Sequence, residues 1–132
     1  MRLHVIDFSP PAVGFDGFFN TFRLGVAWAK RVSVGERVLL MDNKQHLAFG
    51  LAEVISIKTG PLGEMAATHA VFNHNYLGSE DAAASLIAGT IKRYGPHRTN
   101  VDKKYTVIYL RRIPCSGEQF QDEPTRETDN DY

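Results

Sequence analysis

Leu3, Val5 and Asp7 alternate with His4, Ile6 and Phe8 at the start of the chain. This period-2 pattern predicts a short strand over residues 3–8. Ser9-Pro10-Pro11 ends it, since prolines remove backbone donors and constrain the residue before them. Residues 12–22 are rich in Gly and Phe and show no clean period. Leu24 to Val32 reads as a short helix or an irregular connection, with Trp28 as its core anchor. The clearest pattern follows. Val34-Gly35-Glu36 is a turn, Arg37 to Met41 a strand, and Asp42-Asn43-Lys44 a second turn. A further strand is predicted from His46 to Ile57, β-branched and alternating over Ala52–Ile57.

Two helices come next. Thr59-Gly60-Pro61 predicts a helix start, with Thr59 as N-cap and Pro61 in the first turn. Leu62, Met65, Ala66 and His69 recur at helical spacing, carrying this helix to about Asn73. Ser79-Glu80-Asp81 predicts the second start, with a serine cap and acids where the helix dipole favours them. Ala83, Ile87, Thr90 or Ile91, and Tyr94 would form its buried face. Lys92 and Arg93 suit its last turn, and Gly95-Pro96 stops it. Tyr105 to Arg111 is the last strand, apolar on both faces, as in a central strand or small closed barrel. Strand, irregular segment, two strands, two helices and a strand do not alternate regularly. The expected fold is α+β: a small, mostly antiparallel β-barrel with two peripheral helices.

Charge changes the picture. The 132 residues carry 15 Lys+Arg and 15 Asp+Glu, a net charge of zero. Residues 116–132 hold six of the acids and one base, net −5, which leaves residues 1–115 at +5. The chain therefore divides into a basic folded body, 1–115, and an acidic tail, 116–132. Two aromatic and no aliphatic residues leave the tail too little apolar surface to fold alone, so it is expected to be disordered. A lone cysteine, Cys115, rules out an internal disulfide and a multi-thiolate zinc site. No signal-peptide core and no stretch of 18 apolar residues occur, so the expectation is a soluble cytoplasmic chain with no membrane partner.

Catalytic signatures are missing: there is no P-loop, no G-x-G-x-x-G, no G-x-S-x-G and no H-E-x-x-H. The five histidines have no pair at i, i+4 and no completing carboxylate, so neither a metal nor another cofactor is expected. The informative cluster is residues 92–105, where Lys92, Arg93, His97, Arg98, Lys103 and Lys104 are interleaved with Tyr94 and Tyr105. Basic groups neutralise phosphates and rings stack on unpaired bases. Read locally, the same residues are a solvated helix end and loop. Arg23, Lys30, Arg31 and Arg37 make a second basic cluster. Phe15, Phe18, Phe19 and Phe22 flank Asn20, Thr21 and Arg23, which suits either a planar ligand or a core plug under a loop.

Thr21-Phe22-Arg23, followed by Val34-Gly35-Glu36-Arg37-Val38, resembles the ASCH family of the PUA-like superfamily. In that family an arginine ends a G-x-K-x-x-[ET]-x-R motif and a V-G-D-x-V strand follows. Ala52–Ile57, Pro61-Leu62-Gly63-Glu64 and Tyr105–Leu110 resemble its later elements, so the likeness covers about residues 14–113. It implies a small barrel with peripheral helices and a cleft beside the motif that binds RNA or modified nucleobases. One branch deacylates N4-acylated cytidine with a lysine, a threonine and a glutamate. Here Arg23 matches the motif arginine and Thr21 the Glu/Thr position. The lysine position falls on Phe18, Gly17 lies one residue from the expected glycine, and the glutamate position falls near Asn73. No lysine lies between residues 1 and 29. A phenylalanine and an amide cannot do acid–base work near neutral pH, so the resemblance implies binding rather than that hydrolysis.

Three readings follow. The first is a module binding RNA or another nucleic acid, or a modified nucleobase, with Asn20, Thr21, Arg23 and Asn73 on the ligand. Lys30, Arg31, Lys92, Arg93, His97, Arg98, Lys103 and Lys104 would hold its backbone. The second is an ASCH-type hydrolase, a ribonuclease or an N4-acylcytidine amidohydrolase. The third is a phage-type accessory protein that binds a host protein, through the acidic tail or the Phe-rich segment. An Arg23 facing an open cleft with Thr21 and the rings favours ligand binding; a buried, ion-paired Arg23 counts against it.

Overall fold

The structure, a computed structural model, describes residues 3–10 and 13–114. Cys115 and the proposed tail lie outside the described residues. Five strands form one sheet: β1 (His4–Phe8), β2 (Phe18–Leu24), β3 (Arg37–Asp42), β4 (Leu47–Pro61) and β5 (Lys104–Ile113). Their spatial order is β1-β3-β4-β5-β2. β1 runs parallel to β3, and the other three pairings are antiparallel. The fold is α+β, but the sheet is a curled half-barrel and not a closed one, because β1 and β2 are its two edges. Its curl has a local cause. β4 is 15 residues long, with register shifts at Leu40/Met41 against β3 and at Val54/Ser56 against β5. Bulges of this kind bend a strand and increase its twist.

Three helices attach: α1 (Ala27–Arg31), α2 (Leu62–His69), extended by a 3-10 turn at Ala70–Phe72, and α3 (Ala82–Tyr94). The predicted cap at Thr59 is a correction. Thr59 pairs with Thr106 inside β4, and the strand continues through Pro61, which becomes the N-cap position of α2. The helix needs no side-chain cap because Leu62 N–H donates to the Lys103 carbonyl at 2.8 Å and Gly63 N–H to that of Val101 at 2.9 Å. Ser79 does not cap α3 either. Its hydroxyl donates to Asp81 Oδ1, and the helix starts three residues later. The buried residues of α3 are Ala82 and Leu86, one position ahead of the predicted face. Gly95 stops it at φ 83°, a backbone setting natural to glycine.

β5 explains the two-sided burial of the sheet. Ile108 and Leu110 enter the core inside the curl, with Ile6, Phe19, Val38 and Leu40. Tyr105 enters a second core under α2 and α3, with Leu62, Ala66 and Leu86. β2 divides in the same way: Phe19 is sealed in the inner core, and Phe22 and Leu24 pack against the helices. Two further clamps hold the Phe-rich segment. Arg112 donates from Nη1 to the Phe15 carbonyl at 3.1 Å and from Nη2 to the Phe49 carbonyl at 2.8 Å. Gly14, at φ 77°, lies so close to the His74 backbone that an added Cβ would clash with the His74 carbonyl oxygen.

That approach predicts a difference between two glycines. Gly25 has a similar φ of 85° with nothing near its missing side chain, so Gly25→Ala should cost only backbone strain, about 1 kcal/mol. Gly14→Ala should cost that plus a backbone clash, roughly 3 kcal/mol or more. Urea unfolding of the two variants checks the order; equal losses would contradict it.

Candidate functional site

The half-barrel leaves a seam between its edge strands, and a cleft lies there. It is a cavity of about 370 Å³. Asp7, Phe8 and Ser9 form one side, at the end of β1, and Thr21, Phe22 and Arg23 form the other, on β2. Residues 73–76 and the last turns of α3, with Arg93 and Tyr94, complete the wall. Its size suits a small planar ligand or a single nucleotide unit.

Arg23 spans the seam. Its Nη2 donates to the Asp7 main-chain oxygen at 2.7 Å, its Nη1 reaches Asp7 Oδ1 at 3.5 Å, and its Nε donates to Thr21 Oγ1 at 3.2 Å. The guanidinium lies over the Phe8 ring at 4.8 Å and faces Trp28 at 5.8 Å. Burial lowers its pKa from the ordinary value against the opposing pull of Asp7. Arg23 therefore lines the cleft, as ligand binding expects, but it is also ion-paired and its side chain is only 18% exposed, which is the arrangement expected to count against it. Its partner carboxylate is 52% exposed, so the pair itself is weak.

Asn20 positions the opposite wall. It is fully buried and does not line the cleft, which corrects the expectation of a direct ligand contact. Its Nδ2 donates to the His69 carbonyl at 2.8 Å, and its own carbonyl accepts from His74 N–H at 3.3 Å and Asn73 Nδ2 at 3.4 Å. These bonds pin the segment after α2 against β2 and so deliver Asn73 and His74 to the cleft. Asn73 Oδ1 accepts from Asn75 N–H at 3.0 Å, so its amide is engaged on both ends. Thr21 and Asn73 are nearly buried and shape the floor.

His74 is a cleft residue that the sequence reading passed over as a metal candidate. Its ring stacks on Phe15 at 4.4 Å and meets the Phe8 ring edge-on at 5.2 Å. Burial, reinforced by the nearby Arg23 charge, lowers its pKa to about 4, so it is neutral near pH 7. The run Asn73-His74-Asn75-Tyr76, polar and aromatic between two helices, was the signal available for it.

The basic residues divide. Arg93 alone among the predicted backbone holders lines the cleft. Lys92 is exposed beside it, and His97, Arg98, Lys103 and Lys104 are exposed on the loop and strand start beyond α3. Lys30 and Arg31 are exposed on α1, with Arg31 stacked on Trp28 at 4.4 Å. Phe18, where the ASCH resemblance would put a lysine, lies outside the cleft, stacked on Tyr109 at 5.4 Å. No lysine lines the cleft.

No protein-family model matches the chain, and no curated protein sequence matches it. A solved structure does. The crystal structure of protein EF3133 from Enterococcus faecalis V583, family model DUF984, aligns with a TM-score of 0.55 over 89% of this chain and 72% of that one, at 9% identity. The likeness is one of fold. It places the curled sheet and its helices in a known α+β arrangement, and no helix of the described residues is long and apolar enough to cross a membrane.

His74 gives the site a pH signature. The unfolded chain takes its proton near 6.5, while the folded protein refuses it until about pH 4. The unfolded state therefore binds more protons in that window, and stability falls as pH is lowered through it. The loss should approach about 3 kcal/mol by pH 4. Denaturant unfolding at pH 7, 5.5 and 4.5 should show the decline, and His74→Phe should flatten it. The same slope in both proteins would contradict this placement.

Proposed function

We propose that this protein binds a nucleotide unit of RNA, or a modified nucleobase, in the seam cleft. The observation that carries the reading is the convergence of Thr21, Arg23 and Asn73 on one cavity with Arg93 at its wall. These are the positions that the ASCH resemblance marks, and the curled α+β sheet is compatible with a PUA-like barrel. Phe8, Phe22, Tyr76 and Tyr94 offer apolar and aromatic surface for a base. Arg23 and Arg93 offer guanidinium donors for its edge or a phosphate. Lys92, Arg98, Lys103 and Lys104 add exposed basic side chains before and after Arg93 in the chain. Hydrolysis of an acylated cytidine is not favoured, because the cleft holds no lysine and its threonine is engaged with Arg23.

Fluorescence anisotropy with a short labelled single-stranded RNA tests this. Affinity should fall by about tenfold or more between roughly 50 and 200 mM salt if several phosphates are neutralised. Arg93→Ala should weaken binding several-fold, and Lys103→Ala with Lys104→Ala should reduce the salt slope by about 1–2. N4-acetylcytidine should be recovered unchanged after incubation. RNA binding that is undetectable at low salt, or indifferent to Arg93→Ala, would overturn the reading.

A further inference from the structure

We propose that Asp7 tunes the cleft to a singly charged phosphodiester and turns away a doubly charged phosphate monoester. This rests on the nucleotide reading above and adds which species the site takes: an internal phosphate of a strand, not a free nucleotide.

The titratable groups lining the cleft are Asp7, Arg23, His74, Tyr76, Arg93 and Tyr94. His74 is neutral in its setting of aromatic rings, and the acidic and basic side chains that remain are Asp7, Arg23 and Arg93. Two guanidinium groups then stand against one carboxylate, leaving a single net positive charge. A phosphodiester carries one negative charge; a phosphate monoester carries about 1.5–2 at pH 7.

The carboxylate is not what holds Arg23 in place. The strong contact, 2.7 Å from Nη2, is to the main-chain oxygen of Asp7, and the carboxylate sits 3.5 Å from Nη1 with half its surface in solvent. The bond across the seam would survive loss of the charge. What the carboxylate adds is electrostatic: any phosphate oxygen that approaches Nη1 also approaches Oδ1. A monoanion meets this opposition with one charge, a dianion with nearly two. Specificity of this kind is set by a repulsive group as much as by an attractive one.

Isothermal titration of the full chain with uridylyl-3′,5′-uridine and with uridine 5′-monophosphate tests the proposal. The unsubstituted protein should bind the dinucleotide more tightly. Asp7→Asn should raise affinity for the monophosphate about tenfold while changing that for the dinucleotide less than about threefold. Asp7→Ser should do the same, and thermal melting of both variants checks that the seam is intact. Equal gains for both compounds, no gain, or a preference of the unsubstituted protein for the monophosphate would overturn the role of Asp7. Failure of both compounds to bind any of the proteins would overturn the nucleotide reading itself.

Discussion

A guanidinium stands where a ladder of backbone hydrogen bonds would close the barrel. The sheet curls far enough to bring β1 and β2 into range of each other, yet both remain edges. Edge strands expose unpaired backbone groups, and here Arg23 satisfies one of them by donating to the Asp7 carbonyl. A charged group in so enclosed a place is costly unless its donors are used. Thr21 and Asp7 use three of them, and the flat faces rest against Phe8 and Trp28. A side chain spanning a gap cannot fill it as neighbouring strands would. The remaining space is the cleft, and its polarity follows from what bridges it.

The second wall depends on Asn20 in a comparable way. It is buried in β2 and bonded to His69, Asn73 and His74, and it fixes the connection between α2 and α3 beside the seam. Because that connection arrives among phenylalanines, His74 stays neutral, and the charge of the cleft is left to Asp7, Arg23 and Arg93. Packing thus decides electrostatics: aromatic burial silences one ionisable group and leaves three in play.

Much of this was legible in the residues. β3, its turn, the middle of β4, and β5 all carried strong alternation or β-branched runs, and Gly95 marked the end of α3. β2 was not legible. Phe19 faces one core and Phe22 the other, so the strand is apolar on both sides and its polar residues, Asn20, Thr21 and Arg23, follow no period of two. Thr59 misled because the usual cap chemistry sits inside a strand, paired with Thr106 of β5, 47 residues further on; the bonds from Leu62 and Gly63 to Lys103 and Val101, just before β5, replace the cap. Thr21, Arg23 and Asn73 were singled out through the ASCH resemblance, the first two by its motif and Asn73 by where its glutamate position falls, and all three line the cleft. Asp7, His74 and the job of Asn20 were not found, since each acquires its role from a contact with a distant part of the chain. Phe18, which the ASCH resemblance would make a lysine, lies outside the cleft with its ring beside Tyr109.

A nucleotide that enters the seam should engage Arg23, and solution NMR of the full chain, following backbone amides and arginine Nε–H resonances during titration with a short single-stranded RNA, reads this out. The Arg23 Nε–H signal should move together with the amides of Asp7, His74, Asn75 and Arg93, all saturating on one binding curve. Shifts confined to the loop over residues 97–104 or to the outer face around Phe18 and Phe72, with Arg23 unmoved, would contradict it.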